Sequence, residues 1–347
     1  MKKISVCTRY NTLGASSRLR FFMYREKLAE NGIKAEFRPL LGDGYLNRLY
    51  TGRAVRFHAA AAMAKRFLTL PFLGRELLIE YELLPFIPLE AERFFLRNRK
   101  YILSFDDAVW EKYNGHPTLA GKFESLASGA CGIISANDVL TGHLKEYNSN
   151  IIKIPTAIDL DRYARVNSVR ASRFTVAWIG TPVTYAECLM PFAGMLQKAA
   201  EKVDFELLVI AKKDLPGIPG VNMTFCDWSD ETEALLLKRS HIGIMPLPEN
   251  DFMRGKSAYK LIQYLGAGLP CIASPVGENR VLLSQGNVGF SAAAEEDWIN
   301  ALHRLSTDRE LYDMLSTNAL ALAKEYSIQK YAPIMADFIK SCFEDLN

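Results

Sequence analysis

The chain of 347 residues is long for one hydrophobic core and fits two domains of about 150–200 residues each. Its 49% apolar and 23% charged residues exclude disordered and collagen-like classes, and six scattered cysteines with no CxxC exclude a disulfide scaffold or zinc ribbon. The net charge of +3 divides into +7 over residues 1–150 (22 basic, 15 acidic) and −4 over the rest, a balance that argues against nucleic acid and leaves room for an anionic substrate or lipid surface at the first half.

Residues 2–9 read as a β-type run, without the long apolar stretch and cleavage site of a signal peptide, and no later run approaches the roughly 20 apolar residues of a membrane span. A cytoplasmic protein is expected. A turn over 11–17, helical spacing over 18–31 stopped by Gly32, and a second strand at 33–40 make a βαβ unit. Apolar runs at 77–80, 101–105, 131–135 and 151–154 extend the pattern of buried parallel strands, so residues 1–152 are predicted to form one doubly wound domain. The cycle restarts with a strand at 174–179 ending in Gly180-Thr181-Pro182, a helix at 188–203, and strands at 205–211 and 221–225. A helix at 231–239, a strand at 241–245, a helix at 258–266, a strand at 271–273 and a largely helical tail over 296–346 follow. The expected fold class is α/β, two doubly wound Rossmann-like domains facing each other across a cleft, over 1–152 and 153–328. Residues 329–347 are expected to form a helix crossing back to the first domain. Ligands of such sheets bind outside the carboxyl ends of the strands, which directs attention to the turns.

Several familiar signatures are missing. No GxGxxG follows the first strand, no GxxxxGK[ST] occurs, and HExxH, GxSxG and EF-hand patterns are absent. The most informative stretch is Arg254-Gly255-Lys256-Ser257, which leads from the strand at 241–245 into the helix at 258–266. Two cations and the free N–H groups of a helix start form a phosphate cradle that needs no metal. Lys260 lies on the same helical face, and Gln263 can bond a ribose hydroxyl pair.

With those residues in view, the chain resembles the GT-B glycosyltransferases of family 4. The segment Gln263 to Pro270 and Ile272 is similar to the family's E-A-M-A-x-G-x-P-V-V helix, and a subset shares R-G-K-x-x-x-K-L-x-Q-Y. The likeness continues in Gly14-Ala-Ser-Ser-Arg-Leu-Arg20, Phe105-Asp-Asp-Ala-Val-Trp110, Ile154 to Tyr163, and Trp178-Ile-Gly-Thr-Pro182. The resemblance implies transfer of a sugar, with retention, from a UDP- or GDP-type nucleoside diphosphate sugar to a glycan or lipid-linked acceptor. It implies no metal and no further cofactor, and a place in cell-surface polysaccharide synthesis, in the cytoplasm or at the inner face of the plasma membrane. The family's E-x7-E pair is replaced by Gly255 and Gln263, and its Arg and Lys after the first strand of domain two by Thr181-Pro-Val-Thr-Tyr185. A non-catalytic partner on the same fold and a nucleotide-sugar epimerase are the alternatives.

Roles follow on this reading. Arg254, Lys256, Ser257, Lys260, Gly180 and Thr181 are expected around the diphosphate, with Gln263 at the ribose. Trp228 is either a stacking platform for the base or a packed tryptophan. Gly14 is expected to leave room for the diphosphate, at least one of Arg18 and Arg20 to face ligand, and Ser16 with Arg18 to meet the acceptor. Ser16 and Ser17 are alternatively caps of the following helix. Asp106 and Asp107 are candidates for orienting the acceptor hydroxyl or stabilising charge at the anomeric carbon, with capping of the 108–113 turn as the plain alternative. None of His58, His116, His143, His241 and His303 is assigned. Residues 53–75 combine five basic with many apolar residues, as a membrane-facing helix or an ordinary sheet-covering one.

Overall fold

The computed structural model describes residues 1–344. Two compact units share the chain, one formed by residues 1–157 with the chain from Ile328 onward, the other by Ile158–Ser327. The first holds a six-stranded sheet of β1 (Lys2–Cys7), β2 (Ile33–Phe37), β3 (Glu76–Glu80), β4 (Lys100–Phe105), β5 (Gly132–Ser135) and β6 (Ile151–Lys153), in the order β2-β1-β3-β4-β5-β6. Every pairing is parallel, with Ser5 opposite Leu77 and Leu103 opposite Ile133. The expected parallel α/β class is therefore present.

Successive side chains of a strand point to opposite faces, so a sheet covered on both sides needs apolar residues at every position. Leu77, Ile79, Leu103 and Phe105 enter one core, and Leu78, Ile102, Ile134 and Val6 the other. The Ile328–Phe343 helix completes that second core with Ile328, Ala332, Met335 and Ile339.

The second unit repeats the plan with β7 (Thr175–Ile179), β8 (Glu206–Ala211), β9 (Met223–Asp227), β10 (Ile242–Met245), β11 (Cys271–Ala273) and β12 (Gly289–Ser291). Their order is β12-β11-β10-β7-β8-β9, again all parallel. Strand order reverses between β1 and β3 in one sheet and between β7 and β10 in the other. Such switch points leave a crevice outside the strands' carboxyl ends, which is where ligands of open α/β sheets bind.

Two predicted helices are broken. The helix expected over 18–31 is three pieces, Ala15–Arg20, a 3₁₀ turn Phe22–Tyr24 and Arg25–Glu30, because Phe21 leaves helical geometry (φ −135°, ψ −57°) to bury its ring. The one expected over 188–203 begins earlier, passes through a π turn at Tyr185–Leu189, and runs regularly only over Ala193–Lys202, after Pro191 has interrupted the hydrogen-bond ladder. The helix expected across 53–75 covers Arg56–Thr69, followed by the 3₁₀ turn Leu70–Phe72.

Candidate functional site

In the second unit, the turns after β7, β10 and β11 gather at the switch point. The Tyr259–Gly266 helix is fixed there by Tyr264, whose hydroxyl accepts from the Ile179 N–H (3.3 Å) and donates to the Ile244 carbonyl (3.0 Å), tying it to the ends of β7 and β10. Its first turn is preceded by Ala258 in the left-handed conformation (φ 51°), an arrangement that costs a non-glycine residue on the order of 1–3 kcal/mol and tends to persist at functional sites. Leu261 to Gly266 are all buried, Gln263 among them.

The cations sit on the loop and first turn before that buried stretch. Arg254, at the end of the short Asp251–Arg254 helix, is half-exposed and held by Asp251 (2.7 Å) and Glu249 (3.2 Å). Lys256 lies over the Phe252 ring, 4.7 Å from its centroid, and Lys260 over the Trp178 indole at 5.6 Å. Ser257 lies in the loop between Lys256 and the helix start. The carboxylates that hold Arg254 are exposed, and an incoming anion can displace such surface partners at small cost.

Gly180 and Thr181 follow β7. Thr181 caps the Pro182–Thr184 turn through a reciprocal capping box with Thr184, so its hydroxyl already serves the backbone. Trp228 is half-buried, and its indole N–H donates to Glu233 (2.7 Å), a buried carboxylate that also accepts from Tyr163 (3.2 Å).

A residue overlooked in the sequence is Gly277, just after β11. Its φ is 52°, and a Cβ there would lie 2.2 Å from the Arg254 carbonyl oxygen, so only glycine lets this turn pack against the cationic loop. The buried Glu278 opens the next helix beside it. The run Pro275-Val-Gly-Glu278 carried this as an ordinary turn followed by a helix start.

In the first unit, the ends of β1, β3 and β4 hold a different kind of site. Asp106 is buried and accepts from Ser16 (2.9 Å) and from the Tyr81 hydroxyl. Glu80, at the end of β3, accepts from Ser17 (2.5 Å) and the Arg9 N–H (2.7 Å), while its other oxygen is buried without a partner. Burial, and then the neighbouring Asp106 charge, raise the Glu80 carboxyl to about 7, against lowering by the Ser17, Arg9 and Ser16 hydrogen bonds. Tyr81 adopts φ 61°, a strained conformation at this same strand end. Behind it, Lys122 lies buried between Glu82 (2.7 Å) and Glu92 (2.9 Å), and Tyr113 donates to Glu82 (2.8 Å). None of Glu80, Glu82, Glu92 and Lys122 was singled out from sequence.

Several expectations change here. Ser16 and Ser17 do not cap the Ala15–Arg20 helix, whose N-cap is Gly14 without a side-chain bond, because both hydroxyls are drawn to the strand-end carboxylates. Arg20 faces no ligand. It is fully buried and donates to the Ile154 carbonyl and Ser104 hydroxyl, and Arg18 donates to the Thr12 carbonyl. Gly14 is required by its own loop, since a Cβ would fall 2.2 Å from Tyr10 Cβ. Asp107 is half-buried just before the 3₁₀ turn Val109–Lys112, whose N-cap position is Ala108, while the Asp106 carboxylate is taken up by Ser16 and Tyr81. His143 stacks on Trp110 at 4.1 Å and meets Glu124, and His241 accepts from the Thr175 N–H, so both have packing roles. Among the described residues, no three His, Cys, Asp or Glu side chains gather as a metal-binding group.

No protein-family model matches the sequence, and a search among curated proteins finds no match. The structure is similar along nearly its whole length to several solved glycosyltransferases. Sucrose-phosphate synthase from Thermosynechococcus elongatus matches with a TM-score of 0.69 at 14% identity, covering 99% of each chain. Anabaena HepE, solved with UDP and glucose, matches at 0.69 and 12% identity over 98% of this chain and 100% of its own. WaaG, a glycosyltransferase involved in lipopolysaccharide biosynthesis, matches at 0.66 and 13% identity over 97% and 99%. At such identities the likeness establishes the fold, which is that of the GT-B glycosyltransferases.

Proposed function

We propose that this protein is a glycosyltransferase that moves a sugar, with retention and without a metal, from a nucleoside diphosphate sugar of UDP or GDP type to a glycan or lipid-linked acceptor. The observation that carries the reading is the cationic loop of Arg254, Lys256 and Lys260 at the β7–β10 switch point, beside a buried helix tied to both strand ends. Arg254 rests on exposed carboxylates, and a diphosphate leaving group takes their place. Positive charge aimed at charge that develops on the departing phosphate is electrostatic catalysis. Gln263 is assigned to the ribose, and the leaving phosphate oxygen to the acceptor proton. On the acceptor side, Asp106 with Ser16 orients the incoming hydroxyl. The protein works in the cytoplasm at the inner face of the plasma membrane, in cell-surface polysaccharide synthesis, with residues 53–75 as its peripheral contact. Among the described residues no helix is long and apolar enough to cross a membrane.

The replacement of the family's glutamate pair by Gly255 and Gln263 favours one competing reading, a non-catalytic partner that keeps the fold. Calorimetry against UDP, GDP and ADP, followed by transfer and hydrolysis assays with a panel of nucleotide sugars, separates the two. Binding of one nucleoside diphosphate with turnover of its sugar is the expected result. Binding without turnover selects the partner reading, and absence of binding to all three removes the donor site.

A further inference from the structure

The Arg56–Thr69 helix exposes an apolar stripe. Phe57, Ala61, Ala64 and Leu68 recur at the spacing of one helical face, and Phe72 extends the line through the next turn. Phe57 is 81%, Leu68 74% and Phe72 84% exposed, unusual for residues of this size. Arg53, Arg56 and Arg75 flank the stripe on exposed positions.

Beside it opens a pocket of about 310 Å³ lined by Phe37, Arg38, Leu40, Lys65, Arg66 and Phe72. Three of its ten lining residues are cations. Lys65 is exposed and pairs with no carboxylate among the described residues. Arg66 is buried, with Nη2 donating to the Thr8 (3.2 Å) and Arg38 (2.9 Å) carbonyls and Nη1 left without a partner. Arg38 is half-exposed, with Glu36 at 3.4 Å as its carboxylate. Two reachable cations, Arg38 and Lys65, with the positive charge of Arg66 behind them, suit a phosphate group, and Phe72 at both the pocket wall and the end of the stripe makes the lining continuous with the apolar face.

We propose that this pocket holds the phosphate of an anionic membrane lipid while Phe57, Leu68 and Phe72 enter the acyl boundary. The inference rests on the peripheral contact of residues 53–75 proposed above and gives it a chemical address. The charge of the flanking arginines commits the occupant to an anionic bilayer lipid rather than a neutral one.

The test uses the full chain with vesicles of phosphatidylglycerol and phosphatidylcholine, vesicles of phosphatidylcholine alone, and soluble dihexanoyl phosphatidylglycerol. Sedimentation with the anionic vesicles only is expected. Arg38→Gln with Lys65→Gln should weaken it about 25-fold, at about fivefold per charge, and abolish binding of the soluble lipid. Arg53→Gln with Arg56→Gln should weaken vesicle binding and leave the soluble lipid bound, and Phe72→Ser should weaken vesicle binding alone. Equal vesicle losses in both double variants with no soluble lipid bound would overturn the pocket, as would failure to sediment at all. Inorganic phosphate that competes for the pocket in a protein that ignores vesicles would overturn the lipid as its source. UDP affinity, measured on the same samples, should be unchanged in every variant. Its absence in the parent protein counts against the glycosyltransferase reading, whereas the vesicle and soluble-lipid results decide the pocket.

Discussion

At the ends of β3 and β4 the first unit buries its charges and braces them against one another, with Lys122 between Glu82 and Glu92 and the Glu80 and Asp106 carboxylates held by serines, a tyrosine and a backbone N–H. After β10 the second unit does the reverse, placing Arg254 and Lys256 on a loop where surface carboxylates and an aromatic ring are their partners. Buried charges without partners cost several kcal/mol, so the first arrangement must be complete before any ligand arrives. Exposed pairs are worth little, so the second can exchange partners when an anion comes. On the proposed function, the difference would separate a rigid shelf for a neutral hydroxyl from an adaptable clamp for a charged leaving group.

The comparison is most easily broken through stability. Lys122→Met strands two buried carboxylates and should cost about 3–5 kcal/mol in urea unfolding, whereas Lys256→Met should stay within about 0.5 kcal/mol. Similar losses in both would mean that the loop is as structural as the triad. Next comes pH. Glu80 holds its proton up to about 7 when folded but only to its ordinary 4.5 when unfolded. The stability this contributes is fully present below about pH 4.5 and is lost as pH rises through 7. Between those values the parent protein should lose on the order of 3 kcal/mol relative to Glu80→Gln. Parallel pH–stability curves for the two proteins would place the Glu80 carboxyl in water.

How each region reads in the sequence follows from the same contrast. Strands buried on both faces appear as unbroken apolar runs, so Leu77 to Ile79 and Leu207 to Ile210 mark their sheet directly. The cationic loop is also legible, because Arg254, Lys256 and Lys260 lie within seven residues and precede a helix. The shelf is not. Its members are separated by 63 residues (Ser17 to Glu80), 40 (Glu82 to Lys122) and 90 (Ser16 to Asp106), and only strand order brings them together. Lys122 in a sequence looks like any solvated lysine. The break at Phe21 was equally hidden, since it is imposed by what the ring buries rather than by local propensity, whereas Pro191 marks the second break in the sequence itself.

Nucleotide binding sharpens the other side of the comparison. Lys256→Ala should weaken UDP affinity by about 1.5–3 kcal/mol in calorimetry, the range for a hydrogen bond to a charged group, with no change in melting temperature. Unchanged affinity would take Lys256 out of the donor site.

The smallest expected effect tests whether the clamp truly exchanges partners. If the diphosphate must draw Arg254 away from Glu249 and Asp251, removing those carboxylates lowers the cost of binding. Glu249→Gln with Asp251→Asn should then tighten UDP affinity by less than about fivefold, since exposed ion pairs contribute no more than about 1 kcal/mol. The helix cap is spared, because Asn250 supplies it by accepting from the Met253 N–H. The gain should vanish in an Arg254→Gln background, where there is no guanidinium to release. Weaker binding in the double variant would show that the two carboxylates position Arg254 for the phosphate, and the second unit would then be as preorganised as the first.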